Sequence, residues 1–181
     1  MRILVVIKRY SGSIGKDAIG QDFGREIRLA AELAKKNTVT VLAGDHITKE
    51  NRDLIMKNMQ IHIRPFSIRG MLGFVKEISR LGRAHDVVIG TTHPLFALMT
   101  HRGSKRFVYD LRDNYETYDL GIPLLGMGKM VLKRINNHLI KKCVLAVCVS
   151  ESLKEKVMRQ RKGKTIVVEN GVSSLFKPSF P

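Results

Sequence analysis

Short apolar runs alternate with helical patterns from one end of this 181-residue chain to the other, and that alternation restricts its fold more than any other feature. Ile3-Leu-Val-Val-Ile7 is a continuous apolar run, as expected of a strand buried on both faces. From Arg25 to Lys36, residues Ile27, Ala30, Ala31 and Ala34 fall at helical spacing with Leu29 and Leu33 beside them. Thr38 to Leu42 reads as a second strand, Lys49 to Met59 as a short helix and Ile61 to Arg64 as a third strand. Met71 to Leu81 is a helix with Phe74, Val75, Ile78 and Leu81 on one side. Asp86 to Ile89 and Arg106 to Tyr109 are the fourth and fifth strands. A long basic helix from Lys129 to Lys142 precedes a sixth strand at Val144 to Val149. Ser152-Leu-Lys-Glu155 fits a capping box at a helix start, and Thr165 to Val168 is the last strand. Strands separated by helices imply one doubly wound parallel sheet with helices on both faces, in a single α/β domain.

Composition excludes some classes and leaves others open. Hydrophobic residues at 44% support a buried core, and 181 residues suit one domain. Cys143 and Cys148 are five apart in one apolar run, so on a strand they would face opposite ways. They match no metal or disulfide spacing; the reading is core packing in a reducing, cytoplasmic compartment. The apolar run after Arg2 is too short for a signal peptide. The longest stretch free of Asp, Glu, Lys and Arg, Val87 to His101, is too short to span a bilayer. The expectation is a soluble protein, or one peripheral at the inner face of the membrane. A net charge of +16 attracts phosphates in nucleotides, nucleic acid or anionic lipid head groups, and by itself does not choose among them.

In such sheets ligands bind beyond the carboxyl ends of the strands. After the first strand runs a glycine-containing loop, Lys8 to Gly20, which is neither a G-x-G-x-x-G fingerprint nor a P-loop. Its glycines would let backbone amides approach a phosphate, or would simply keep the loop pliant. Lys8, Arg9 and Lys16 read either as partners of an acceptor phosphate or as solvated charges. After the fourth strand, His93 is held by Pro94 and either donates to a substrate hydroxyl or phosphate or is structural. After the fifth come Asp110, Arg112, Asp113 and Glu116, suited to sugar hydroxyls, with Arg112 available for a phosphate. The alternative there is an Arg112 ion pair that fixes the loop. Leu120 to Arg134 is apolar, glycine-rich and then basic. Leu124, Leu125 and Met127 would insert at a membrane interface with Lys129, Lys133 and Arg134 on head groups, although core helices look alike.

The last stretch carries Asn170-Gly171-Val172, then Phe176 and Pro178. It resembles the NGV-x-x-x-F-x-P segment of retaining GT-B glycosyltransferases of family 4, where the N-terminal domain ends and the donor-binding domain follows. The resemblance extends weakly along the chain. Counting back from Leu33-Ala34 puts the family's Gly-Gly pair near Ile19-Gly20, so one glycine of two is kept and Gly20 becomes the position of close backbone approach. A histidine beside a Pro-Leu pair matches His93, and the segment around Asp110 and Arg112 resembles a branch that builds surface polysaccharides. Asn136-Asn137-His138 stands where the family often has a glutamate.

The resemblance implies the acceptor-side half of a GT-B fold, a Rossmann-like domain over residues 1–178, with 179–181 starting the link to a C-terminal donor-binding domain. The implied function is binding the acceptor in a hexosyl-transferring enzyme that moves sugar from a nucleotide-sugar to a lipid-linked or polysaccharide acceptor. Without the donor domain the chain is expected to be inactive. The implied substrate-binding residues are Arg9, Lys16, Gly20, His93, Arg112, Asp113, Asn170 and Gly171. No catalytic residue and no metal is assigned. The nucleotide-sugar is a co-substrate, with no cofactor besides. The alternative function is a non-catalytic Rossmann-like module holding nucleic acid or a protein partner. Aromatic residues at 6% and the absence of tryptophan offer little stacking surface for nucleic acid.

Overall fold

A computed structural model describes residues 1–7, 25–43, 59–63, 71–91, 94–112 and 126–169. In chain order the elements are β1 (Arg2–Ile7), α1 (Arg25–Ala34), β2 (Thr38–Ala43), β3 (Met59–Ile63), α2 (Met71–Ala84) and β4 (Val87–Thr91). They continue with α3 (Pro94–Arg102), β5 (Phe107–Leu111), α4 (Gly126–Lys142), β6 (Leu145–Cys148), α5 (Glu151–Gln160) and β7 (Thr165–Val167). Among the described residues, seven strands form one sheet in the order β3-β2-β1-β4-β5-β6-β7, and every pairing is parallel. The expected α/β architecture is therefore the one found.

Alternation along the strands sorts the core into two faces. Ile3, Val5 and Ile7 of β1, Val39 and Val41 of β2, Ile89 and Val108 pack with Ala30 and Ala34 of α1. The intervening Leu4, Val6, Leu42 and Val88 pack with Phe74, Ile78 and Leu81 of α2. On that second face Phe107, Tyr109, Leu111, Ala146 and Cys148 meet Ala97 of α3, Leu139 and Ile140 of α4 and Val157 of α5. Burying a side chain such as Phe74 is worth about 1.5–3 kcal/mol relative to leaving it exposed. Helices thus cover both faces, with α1 on one and α2 to α5 on the other.

Polar links tie the layers at particular points. His85, buried after α2, has Nδ1 2.6 Å from the Leu81 carbonyl and Nε2 2.8 Å from Thr40 Oγ1. A carbonyl only accepts, so Nδ1 donates to Leu81. Tyr109 Oη donates to Asn136 Oδ1 at 2.8 Å, joining β5 to α4. Asn136 is therefore a buried acceptor inside the domain. Gly82 lies against the Gly103 carbonyl, so a Cβ there would overlap the turn that follows α3.

Four expectations need correction. Helix α3 falls where only a loop after β4 was read; Pro94 starts it, its missing N–H costing nothing in a first turn. The α5 cap is Ser150, not Ser152, because Ser150 is extended (φ −152°, ψ 158°) and its hydroxyl accepts from the Leu153 amide at 3.3 Å. Ser152 is already inside the helix. The cysteines do not face opposite ways: Cys143 precedes β6 rather than lying in it, and both thiols, free and buried, join the same core cluster. Met59 begins β3 instead of ending a helix, and the remainder of that reading, 49–58, lies outside the described residues. Among the described residues no helix is long and apolar enough to cross a membrane.

Candidate functional site

The chain builds β1, β2 and β3 outward in one direction, then returns to lay β4 on the other side of β1 and continues to β7. The order reverses between β1 and β4, and the crevice beyond the exits of those strands is where such sheets take their ligands. Ile7, Thr91 and Leu111 are the last residues of the strands that border it.

At the β5 exit the structure gathers three charged residues from two elements. Val108 belongs to the core on the α1 face, and Asp110, two residues on, faces the same way and is fully buried. Arg112 follows with the same parity. Its Nη2 lies 2.6 Å from Glu26 Oε2, and its Nε lies 3.8 Å from Asp110 Oδ2. Glu26 sits in the first turn of α1, where a carboxylate also complements the helix dipole. The residue is 1% exposed, in line with the buried Ala30 and Ala34 one and two turns later. The small Ala30 lets α1 lie close on the sheet and brings Glu26 within reach of β5. Glu26 Oε1 and Arg112 Nε have no hydrogen-bond partner among the described residues.

Two carboxylates flank one guanidinium, so the cluster has a net negative formal charge. The ion pair that would fix the loop, one of the two readings of Arg112, is the arrangement present. Behind it on β6, burial first and the Asp110 charge second push the Cys148 thiol up to about 11. A raised value favours the thiol over the thiolate.

Of the substrate-binding residues that the resemblance implies, Arg112 is the one within the described residues, and Asp110, read beside it, is described as well. Arg9, Lys16, Gly20, His93, Asp113, Asn170 and Gly171 lie outside the described residues, as do Lys8, Glu116, Leu124 and Leu125. Glu26 was not singled out from sequence. The available signal was its spacing of four and eight from Ala30 and Ala34, which puts a carboxylate on the buried stripe of an amphipathic helix.

No family model and no curated protein matches the sequence. Solved structures do. Over 99% of this chain and 47% of theirs, it superposes on Anabaena HepE in complex with UDP (TM-score 0.62) and with UDP-glucose (TM-score 0.63), at 16% identity in both. UGT73P12 of Glycyrrhiza uralensis, complexed with glycyrrhetinic acid 3-O-monoglucuronide, is similar over 92% of this chain and 48% of its own (TM-score 0.58, 11% identity). Sucrose-phosphate synthase of Thermosynechococcus elongatus is similar over 93% and 47% (TM-score 0.56, 9% identity). The chain spans about half the length of the solved structures it matches. Its fold is that of one half of a GT-B glycosyltransferase.

Proposed function

We propose that this chain is the N-terminal, acceptor-side half of a retaining GT-B glycosyltransferase. It binds a lipid-linked or polysaccharide acceptor and receives sugar from a nucleotide-sugar held by a C-terminal donor-binding domain, in the same polypeptide or in a partner chain. The observation that carries this reading is the match of 99% of the chain to about half of HepE, which binds UDP-glucose. The Asn170-Gly171 motif supports it.

In this reading the crevice residues divide the work. Arg9, Lys16 and Gly20 after β1 and His93 after β4 meet the acceptor's phosphate or first sugar. Arg112 and Asp113 orient its hydroxyls, and Asn170 and Gly171 turn the chain toward the donor side. The protein works in the cytoplasm and lies on the inner face of the membrane when the acceptor is lipid-linked. Exposed Met130 and Val131 on α4, with Lys133 and Arg134 beside them, suit such an interface. By itself the 181-residue chain transfers no sugar, because donor binding resides in the other half.

Calorimetric titration of the isolated chain with UDP-glucose, set against an array of glycans and polyprenyl-phosphate-linked sugars, tests this. Binding of an arrayed acceptor with little binding of UDP-glucose is the expected result. Tight UDP-glucose binding with no acceptor bound would place the chain on the donor side and end the proposal.

A further inference from the structure

The strand-start edge of the sheet, at the end opposite the crevice, carries a dense group of cations. Arg102 ends α3, Lys105 and Arg106 lead into β5, Lys141 and Lys142 close α4 before β6, and Lys164 leads into β7. All six are exposed. The three strands are neighbours, and their starts are locked together by the backbone. Val144 donates to the Phe107 carbonyl at 2.8 Å, and Ala146 donates to the Lys164 carbonyl at 3.1 Å. With strands about 4.8 Å apart, β5 to β7 covers about 10 Å of sheet, so the charges crowd on a narrow, rigid base.

Cations at helix C-termini complement the helix dipole, which accounts for Arg102, Lys141 and Lys142. It does not account for Lys105, Arg106 and Lys164, which follow no helix directly. Elsewhere on the surface four cations are paired: Arg2 with Asp86, Lys35 with Glu32, Arg80 with Glu77 and Lys154 with Glu151. None of the six makes an ion pair among the described residues, and the turns that carry or directly follow them, 103–106, 143–144 and 161–164, contain no Asp or Glu. Like charges held this close repel one another, and a complementary surface relieves that repulsion.

We propose that this edge docks an acidic segment of a partner protein. The occupant is chosen by what the edge lacks. Among the described residues it exposes no large aromatic side chain on which bases could stack, and its short turns project no helix or hairpin into a nucleic-acid groove. Val144 is the one exposed large apolar residue in those turns, too little to seat a protein in lipid. Since the crevice lies at the opposite end of the strands, partner and acceptor bind together.

Fluorescence anisotropy with a labelled deca-glutamate peptide tests this on the full chain. Two charge-reversed variants, K105E/R106E and K141E/K142E, are compared with a control of equal charge change away from the edge, K76E/R134E, and all melts are recorded to confirm folding. Each edge variant is expected to weaken peptide binding about tenfold and the control less than about twofold, with binding lost at high salt. Equal weakening by the control would show diffuse attraction and overturn the proposal. So would the absence of peptide binding, or tighter binding of a 20-base-pair duplex or of phosphatidylserine vesicles that the edge variants abolish.

Discussion

The Arg112 guanidinium lies 2.6 Å from the Glu26 carboxylate, joining the exit of β5 to the first turn of α1. Both are largely removed from water, and Asp110 stands on the other side of the arginine at 3.8 Å. The strand exit that borders the crevice is thereby clamped to the helix that follows β1.

Removing the cation should cost more than removing one of its carboxylates. Arg112→Ala leaves Glu26 and Asp110 buried without their shared counter-charge, a loss of about 3–5 kcal/mol by analogy with broken buried pairs. Glu26→Gln leaves Arg112 with Asp110 and should cost about 1–3 kcal/mol. Urea unfolding of the two variants checks the order; if E26Q is the more damaging, the arginine is not what holds the cluster.

Tyr109→Phe removes the hydroxyl that donates to Asn136 Oδ1 and leaves that buried oxygen without its donor. The expected loss is about 1–3 kcal/mol in chemical denaturation. A neutral result would mean that water or a neighbouring group replaces the tyrosine.

Gly82→Ala drives a methyl group into the Gly103 backbone carbonyl, which cannot swing aside as a side chain would. Alanine's better helix propensity favours the change by about 1 kcal/mol, so the net destabilisation is the overlap less that gain. A melting temperature below the parent's is expected, and an unchanged or higher one would show that α2 can shift away from the α3 turn.

Both thiols should resist labelling in the native state. Cys143 and Cys148 are free and buried; burial raises each, Cys148 to about 11. A disulfide-exchange reagent at pH 8 should react with neither until the chain is unfolded, when both react. Native labelling would mean that α4 and α5 open readily.

The pH dependence of stability carries two signs. Arg2 holds Asp86 below the ordinary carboxylate value of 3.8, first by a backbone hydrogen bond of 2.8 Å and then by its side chain. That contribution is present above pH 3.8 and is lost as pH falls below it, so Asp86→Asn should be less stable than the parent at neutral pH and match it in acid. Burial, then the charges of His138, Lys142 and Arg102, lower His101 below 6.5. The unfolded chain therefore takes up that proton first, and stability declines as pH falls below 6.5. His101→Gln should flatten this decline, measured by urea unfolding between pH 7 and pH 5.

Local patterns were readable where period and boundary residues agreed. Ile3 to Ile7 and Met71 to Leu81 emerged as β1 and α2 because an apolar run and a 3.6-residue stripe need no distant information. The α3 segment was missed because Pro94 to Arg102 is apolar on most sides and directly continues the apolar β4 stretch, which removes the period. At α5 two serines compete for the cap, and backbone geometry decides for Ser150. In the site, Arg112 was named from its place after a strand, whereas Glu26 looked like an ordinary acidic residue in a first helical turn.

By itself the sequence determined the alternation of strands and helices, and with it a parallel sheet covered on both faces, because side-chain periodicity is a local property of the backbone. Tertiary structure alone decided the order β3-β2-β1-β4-β5-β6-β7, the side of the sheet each helix covers and the meeting of Glu26 with Arg112. Those depend on which strands become neighbours and on how closely Ala30 lets α1 approach the sheet. Contacts between segments so far apart in the chain leave no period within either segment.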